Sequence, residues 1–180
     1  MGIKNYIFDT SAFIKGMDVS VLQEFMCYTT PGVLSEIKNK SSKQKLDTAI
    51  LTGNLKILSP DPENIEQVKS IAKSSGDLQF LSMTDIGVIA LALTVRIMVS
   101  KRENISLACV SIEVVTDDYS MQNVLSRLPI SVNSFVQKGI NQFIQWQIYC
   151  PQCKSIYLPS ETNFCPKCEV KLKRRPIDKK

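Results

Sequence analysis

Histidine is absent from this 180-residue chain. Its absence excludes Ser-His-Asp and Cys-His nucleophile systems, the commonest general base and every His-ligated metal site. Any chemistry must run on carboxylates, thiolates, amines or hydroxyls. A long unbroken apolar run is also missing: the longest, Ile86 to Val99, is interrupted by Arg96. It reads as a buried helix rather than a bilayer span. The N-terminus, MGIKNYIFDTS, meets Asp9 before an apolar leader core can form. No secretory signal is expected, and a cytoplasmic location is the default. Internal repeats and low-complexity segments are lacking too, with only seven glycines and eight prolines, which excludes a collagen-like or biased chain.

Hydrophobic residues make up 44% and charged residues 22%, the profile of a folded globular chain. The length suits one ordinary domain plus a small second unit. The net charge of +5 is uneven. Residues 150–180 hold eight Lys and Arg against three Asp and Glu, and the first 149 residues hold fourteen of each. All of the excess positive charge therefore lies in the last sixth of the chain. That pattern suits a polyanion-contacting appendage on a neutral domain.

The cysteines divide in the same way. Four of the six stand as C-P-Q-C and C-P-K-C, at Cys150, Cys153, Cys165 and Cys168. Two C-x-x-C pairs at this separation predict one structural Zn²⁺ held by two knuckles, because each pair offers two thiolates to a tetrahedral ion. Metal bonding would replace the core that some thirty residues cannot build. Two disulfides or a redox-active pair are the competing readings. Cys27 and Cys109 sit in apolar contexts, FMCYT and LACVS, and read as small buried hydrophobes.

Periodicity and breakers predict alternating strands and helices over residues 1–137. Residues 3–8 read as a strand, Val19 to Tyr28 as a helix and Tyr28 to Thr30 as a short extended piece. A helix runs from near Val33 through the Lys-rich Lys38–Lys45 toward Leu51. Leu55–Ser59 is a strand, and Asp61-Pro62 opens the next helix, which Ser75-Gly76-Asp77 breaks. Ser82 and Asp85 start the long apolar helix. Leu107–Ile112 and Glu113–Thr116 are strand-like, Ser120–Leu128 is a helix and Ile130–Phe135 a strand. The alternation argues for an α/β sandwich with a mainly parallel central sheet. The predicted division is 1–138 for the α/β domain, 139–147 for a linker with the first ribbon strand, and 148–180 for a zinc ribbon with a basic tail.

On that scaffold Asp9 ends the first strand and Asp117 and Asp118 end a later one. In open α/β sheets this edge is where sites form. Asp85 lies in the first turn of a helix, and Glu36 early in another. Acids from distant parts of the chain can thus meet above one sheet edge. Such a cluster raises its own proton affinities unless cations are present. An all-oxygen donor set suits Mg²⁺ or Mn²⁺, which can activate water and clamp a phosphodiester. Each acid also has an ordinary role open to it. Asp9 can be a strand-end cap, Asp85 half of a capping box, Glu36 a first-turn acid favoured by the helix dipole, and Asp117-Asp118 a turn.

Taken together, F-D-T-S at Phe8–Ser11, S-E-I at Ser35–Ile37, L-S-M-T-D-I at Leu81–Ile86 and T-D-D-Y-S-M-Q-N at Thr116–Asn123 resemble the PIN nuclease domain. The last segment, followed by the four-cysteine ribbon, resembles the Nob family of ribosome-maturation endonucleases in its compact archaeal form. The resemblance covers nearly the whole chain. It implies a metal-dependent single-strand endoribonuclease that makes the 3′ end of small-subunit rRNA. It further implies the small ribosomal subunit and a KH-domain assembly factor as partners. By motif, the catalytic acids are Asp9, Glu36, Asp85 and one of Asp117 and Asp118, with Asp118 favoured and Asp117 an auxiliary.

Chemistry then distributes roles. Asp9, Asp85 and Asp118 would hold Mn²⁺ or Mg²⁺, and Glu36 would complete the shell or orient water. Thr10, Ser11 and Thr116 would either bond ligand carboxylates or cap helices. Lys171, Lys173, Arg174 and Arg175 are the candidate RNA-backbone contacts. Tyr149, Tyr157 and Phe164 would stack on bases or fill the ribbon's small core, and Trp146 reads as a hairpin or interdomain packing residue. Lys38, Lys40, Lys43 and Lys45 form either a phosphate-facing patch or a solvated helix face. Two other functions stay open: a toxin-like PIN ribonuclease, and a non-catalytic RNA-binding assembly factor that works through its ribbon.

Overall fold

The structure is a computed structural model and describes residues 4–15, 25–134, 144–157 and 163–177. Five strands form the central sheet: β1 Asn5–Phe8, β2 Met26–Thr29, β3 Leu55–Ile57, β4 Ile112–Val115 and β5 Ser131–Asn133. Their spatial order is β3-β2-β1-β4-β5, and every pairing is parallel. Parallel neighbours need crossovers. The described helices are α1 Thr10–Ile14, α2 Pro31–Glu36, α3 Lys40–Leu51, α4 Pro62–Ser75, α5 Met83–Glu103 and α6 Tyr119–Leu125. The α/β architecture with a mainly parallel sheet is thus as expected. In the register, Phe8 lies opposite Val115. Asp9 and Thr116 consequently leave the sheet side by side, at its carboxyl edge.

Several elements differ from their sequence reading. Residues 19–24 of the expected helix lie outside the described residues, and Met26–Tyr28 is strand. Pairing with β1 and burial of Cys27, Tyr28 and Thr29 in the sheet decide that. The single helix from Val33 to Leu51 is two. Thr30 caps α2 through the Val33 N–H, and Asn39 restarts the chain as α3 by accepting the Ser41 N–H at 2.9 Å. Between them Ile37 is extended and buried in the core. Leu107–Cys109 is a 3-10 turn capped by Ser106, not strand, and it leaves Cys109 exposed; Cys27 is buried as expected.

The helix α5 runs one turn beyond Val99 and ends where Asn104 turns left-handed. At 21 residues it is long and apolar enough, by length and composition, to cross a bilayer. In this fold Val88 to Ala92 are fully buried in the core. A helix apolar on most sides is accounted for by that position.

The C-terminal unit is a three-stranded antiparallel sheet, ordered β7-β6-β8, of β6 Trp146–Tyr149, β7 Ile156–Tyr157 and β8 Lys173–Pro176. Ile148, Cys150, Cys165 and Leu172 make its small core, and Phe80 of the larger unit packs against it. Gly76 ends α4 at φ +80°, and a Cβ there would lie 2.9 Å from the Trp146 carbonyl oxygen. The two units meet where only glycine fits. The expected linker Gly139–Asn141, the boundary near residue 138, and Gln142 and Phe143 lie outside the described residues.

Candidate active site

Asp9, Asp118 and Asp85 each also take part in capping a helix start. Asp9 caps α1: its Oδ2 accepts the Ser11 hydroxyl at 2.9 Å and the Ser11 N–H at 3.4 Å. The same oxygen accepts the Thr116 hydroxyl at 3.0 Å. Asp118 caps α6, with Oδ1 accepting the N–H groups of Ser120 at 2.6 Å and Met121 at 3.0 Å. Asp85 completes a capping box on α5, its Oδ2 accepting the Ser82 N–H at 2.7 Å while Ser82 Oγ accepts the Asp85 N–H at 3.1 Å. Capping and ligation were alternatives in the sequence, but the geometry makes them compatible. A carboxylate has about four acceptor sites, so pinning one oxygen orients the other.

Burial pushes the Asp9 carboxyl above its ordinary value, against the opposing hydrogen bonds from Ser11, Thr10 and Thr116. Asp85 is raised as well, first by burial and then by the charges of Asp9 and Asp118, with the Ser82 bonds opposing. Asp85 therefore lies within electrostatic reach of both Asp9 and Asp118. A group whose charged forms repel in a buried setting is stabilised by a cation.

Glu36 closes the cluster differently than expected. It is the last residue of α2 rather than a first-turn acid. The helix dipole disfavours a carboxylate there, so dipole stabilisation cannot account for it. Its Oε2 accepts the Thr10 hydroxyl at 2.8 Å, which ties it to the residue after Asp9. Gly32 lets α2 approach α5: a Cβ at that position would meet Thr84 Oγ1 at 3.0 Å.

Asp117 points elsewhere. Its Oδ2 pairs with Lys15 Nζ at 2.7 Å and its Oδ1 accepts the Ser134 hydroxyl at 2.6 Å. Of the adjacent pair, Asp118 is the one whose charge acts on Asp85 and whose N–H shares the Thr116 hydroxyl with Asp9.

The cysteines form a second centre. All four are free thiols whose sulfurs lie within 4.8 Å of one another, with Cys153 Sγ 3.7 Å from Cys165 Sγ. The two knuckles share one geometry. The Cys150 and Cys165 N–H groups donate to the carbonyls of Ser155 and Val170, each at 2.9 Å. Lys154 and Glu169, one after each second cysteine, are both left-handed, at φ 60° and 56°. Four converging sulfurs on paired tight turns fit a tetrahedral metal ion, for which tetrahedral sulfur spacing is about 3.8 Å.

The basic and aromatic candidates separate. Lys171, Lys173 and Arg175 are exposed along one face of the ribbon, while Leu172 and Arg174 face inward. Arg174 pairs with Asp77 at 2.5 Å and lies over the rings of Phe80 and Trp146. The strand period continues through Arg174, which corrects its expected place on the RNA-facing side. Trp146 packs between the units, as its sequence reading held. Tyr157 donates to or accepts from Cys165 Sγ at 3.0 Å, whereas Phe164 is 58% exposed. Lys38, Lys40, Lys43 and Lys45 are exposed beyond Glu36. Sequence gives Asp77 no site role, and Asn123 enters it only as the last residue of the T-D-D-Y-S-M-Q-N motif. Asp77 looked like a helix breaker, and nothing local marks it as a buried charge.

Residues 6–95 match a family described as the PIN domain of ribonuclease. Over 176 residues the chain is 35% identical to Endoribonuclease Nob1 of Methanocaldococcus jannaschii, covering 97% of this chain and 79% of that protein. The chain belongs to the Nob1 family. A 70-residue stretch, 39% of this chain and 15% of the relative, is 36% identical to the 20S-pre-rRNA D-site endonuclease NOB1 of Saccharomyces cerevisiae. The chain is also 32% identical over 169 residues to Ribonuclease VapC1 of Thermoplasma acidophilum, covering 94% of this chain and 77% of that one. As a Nob1-family PIN protein the chain is an endoribonuclease, which answers the non-catalytic reading. The PIN match contains Asp9, Glu36 and Asp85, and the Nob1 match extends over most of the chain.

Proposed function

We propose that this Nob1-family endoribonuclease cleaves single-stranded precursor rRNA to form the 3′ end of the small-subunit rRNA, using Mn²⁺ or Mg²⁺ at the carboxylate cluster and a structural Zn²⁺ at Cys150, Cys153, Cys165 and Cys168. The observation that carries the catalytic part is the placement of Asp9, Asp85 and Asp118 at three helix starts, each with one oxygen held there, with Thr116 bonding both Asp9 and Asp118 and with Asp85 in reach of both charges. The substrate part rests on the family and on the pre-rRNA specificity that the yeast relative's name states. A divalent ion held there would supply Lewis-acid activation of water and charge stabilisation on the scissile phosphate.

The protein's own residues do the rest. Asp9, Asp85 and Asp118 each have one oxygen held at a helix start, and the second oxygen of each would be the one offered to the ion. Glu36, tied by Thr10 to the residue after Asp9, would be the group that orients an attacking water and accepts its proton. The Ser11 and Thr116 hydroxyls keep Asp9 in one rotamer. Lys171, Lys173 and Arg175 supply phosphate contacts at a distance from the acidic pocket, which would itself repel RNA. In the cell the substrate would be the assembling small subunit in the cytoplasm, with a KH-domain factor as the proposed protein partner.

The test is incubation of the protein with a precursor fragment spanning the small-subunit 3′ end, in Mn²⁺, Mg²⁺ or chelator, with bulk tRNA as a competitor substrate. One cut at the mature 3′ end, lost with chelator, is expected. Asp9→Asn and Asp118→Asn should abolish that cut while keeping RNA affinity. Preferential cleavage of tRNA would favour the toxin-like reading, which the VapC1 relative's extended match keeps in play.

A further inference from the structure

We propose that Arg174 is a positioning residue of the nuclease: it ties the cysteine ribbon to the first turn of α6 and so holds Asp118 in place. The inference rests on the reading of Asp118 as an acid of the catalytic cluster.

Arg174 reaches out of β8 into the larger unit. Nη1 bonds Asp77 Oδ1 at 2.5 Å and Nη2 bonds Ser120 Oγ at 3.1 Å. The guanidinium carbon lies 4.1 Å from the Phe80 ring centre and 4.3 Å from that of Trp146. A planar group bonded at two edges and bounded by two rings has one available orientation. Its partner Asp77 has no exposed side-chain surface and also accepts the Ser75 hydroxyl at 2.8 Å and the Asn123 amide at 2.6 Å. A pair this desolvated is costly to open, because opening it leaves a buried charge without a counterion.

Ser120 is the link to the chemistry. Its side chain takes the Arg174 bond, and its backbone N–H donates to Asp118 Oδ1 at 2.6 Å. The carboxylate is thus one residue removed from the ribbon's guanidinium. The helix that carries it, α6, has only seven residues, too few to be stable by its own hydrogen bonds. Its anchors come from outside. Asn123 bonds the N–H and the carbonyl of Ile144, each at 2.7 Å, just before the first ribbon strand. Gln122 also bonds the Thr116 carbonyl and Asn123 also bonds Asp77, but the ties from Ser120 and from Asn123 to Ile144 run toward the ribbon. The ribbon core that sets the course of β8 includes Cys150, Cys165 and Leu172. A folded cysteine unit is in this way a condition for a fixed Asp118, and the ribbon does more than hold RNA.

Full-length Arg174→Gln, Arg174→Lys and Ser120→Ala variants separate this from two simpler roles. The readouts are Mn²⁺ binding without RNA, followed by electron paramagnetic resonance, kcat and KM on a short single-stranded RNA, and the melting temperature. Arg174→Gln should weaken Mn²⁺ binding by about tenfold and lower kcat, with KM little changed, as expected for a lost bond to a charged group. Ser120→Ala keeps the Asp77 pair and the Ser120 N–H. It should give the same pattern at about threefold with a near-wild-type melting temperature. Arg174→Lys restores charge but cannot bridge both partners, so it should recover the melting temperature more than Mn²⁺ affinity. Lower RNA affinity with unchanged Mn²⁺ binding and kcat would make Arg174 an RNA contact and overturn the proposal. A lower melting temperature with unchanged Mn²⁺ binding in both Arg174→Gln and Ser120→Ala would make it a simple staple and overturn it too. Asp118→Asn runs alongside: wild-type Mn²⁺ affinity in that variant would instead refute the catalytic reading of Asp118.

Discussion

The Thr116 hydroxyl is fully buried and joins two acids: it donates to Asp9 Oδ2 at 3.0 Å and accepts the Asp118 N–H at 3.1 Å. It sits at the carboxyl end of β4, beside the end of β1, so one side chain sets the distance between acids that are more than a hundred residues apart in sequence. Thr116→Val keeps the shape and removes the bond. Loss of a buried hydrogen bond to a charged group costs about 1.5–3 kcal/mol. Asp9 should then hold its proton more tightly, and Mn²⁺-supported cleavage should fall by at least about tenfold. Thr116→Ser should retain most activity. Equal activity in the Val and Ser variants would show that the hydroxyl is dispensable.

The raised carboxyls of Asp9 and Asp85 give a signed pH dependence. A carboxyl whose folded value lies above its unfolded one makes the folded chain bind more protons in the window between the two. Without divalent metal, these groups destabilise the fold above their raised values, and that penalty is relieved as pH falls through them. A bound cation removes the same penalty. Mn²⁺ should therefore raise the melting temperature more at about pH 7.5 than at about pH 5. A Mn²⁺-induced shift independent of pH would contradict the assignment.

Zinc should be needed for the ribbon and not for the large core. Cys165→Ser removes a buried ligand from a unit whose own apolar core is only a few residues. Metal analysis of the purified wild type should return one zinc per chain, and the variant should lose protection from proteolysis after about Ile148 while α5 stays protected in hydrogen exchange. Freshly purified protein with an ordered ribbon and no zinc would defeat this expectation.

The charged face of the ribbon should carry the salt dependence of RNA binding. Lys171, Lys173 and Arg175 are exposed, and Arg174 is not with them. Neutralising the three exposed residues should flatten the log–log salt slope by up to about 0.7 per lost phosphate contact. Turnover at saturating RNA should survive, because among the described residues none of the three pairs with Asp9, Glu36, Asp85 or Asp118. An unchanged slope would move attention to Lys38, Lys40, Lys43 and Lys45 beyond Glu36.

Much of the site was legible because its residues lie at chain features with strong local signatures. Asp9 follows a buried strand, Asp85 forms a capping box with Ser82, and the cysteine pairs announce their own spacing. These signals are local, and local rules survive folding. Glu36 was read on the right segment but at the wrong end of its helix, because burial of Ile37 and the Asn39 cap divide what periodicity joins. Between Asp117 and Asp118 the family motif favours Asp118 without showing where Asp117 goes. Bonds to Lys15, distant in sequence, and to Ser134 draw Asp117 away.

The sequence by itself determined the α/β class, the paired thiolate knuckles, the absence of imidazole chemistry and the acids available to replace it. Those follow from composition, spacing and breakers, which act within a few residues. Tertiary structure alone decided that the candidate acids are themselves helix-start residues, that Arg174 turns inward, and that Asp77 is a buried charge with a partner ninety-seven residues away. The reason is physical. Which side of β8 faces inward, and which acid meets which hydroxyl, depends on how two units pack against each other, and no local pattern encodes a contact whose partner lies in the other unit.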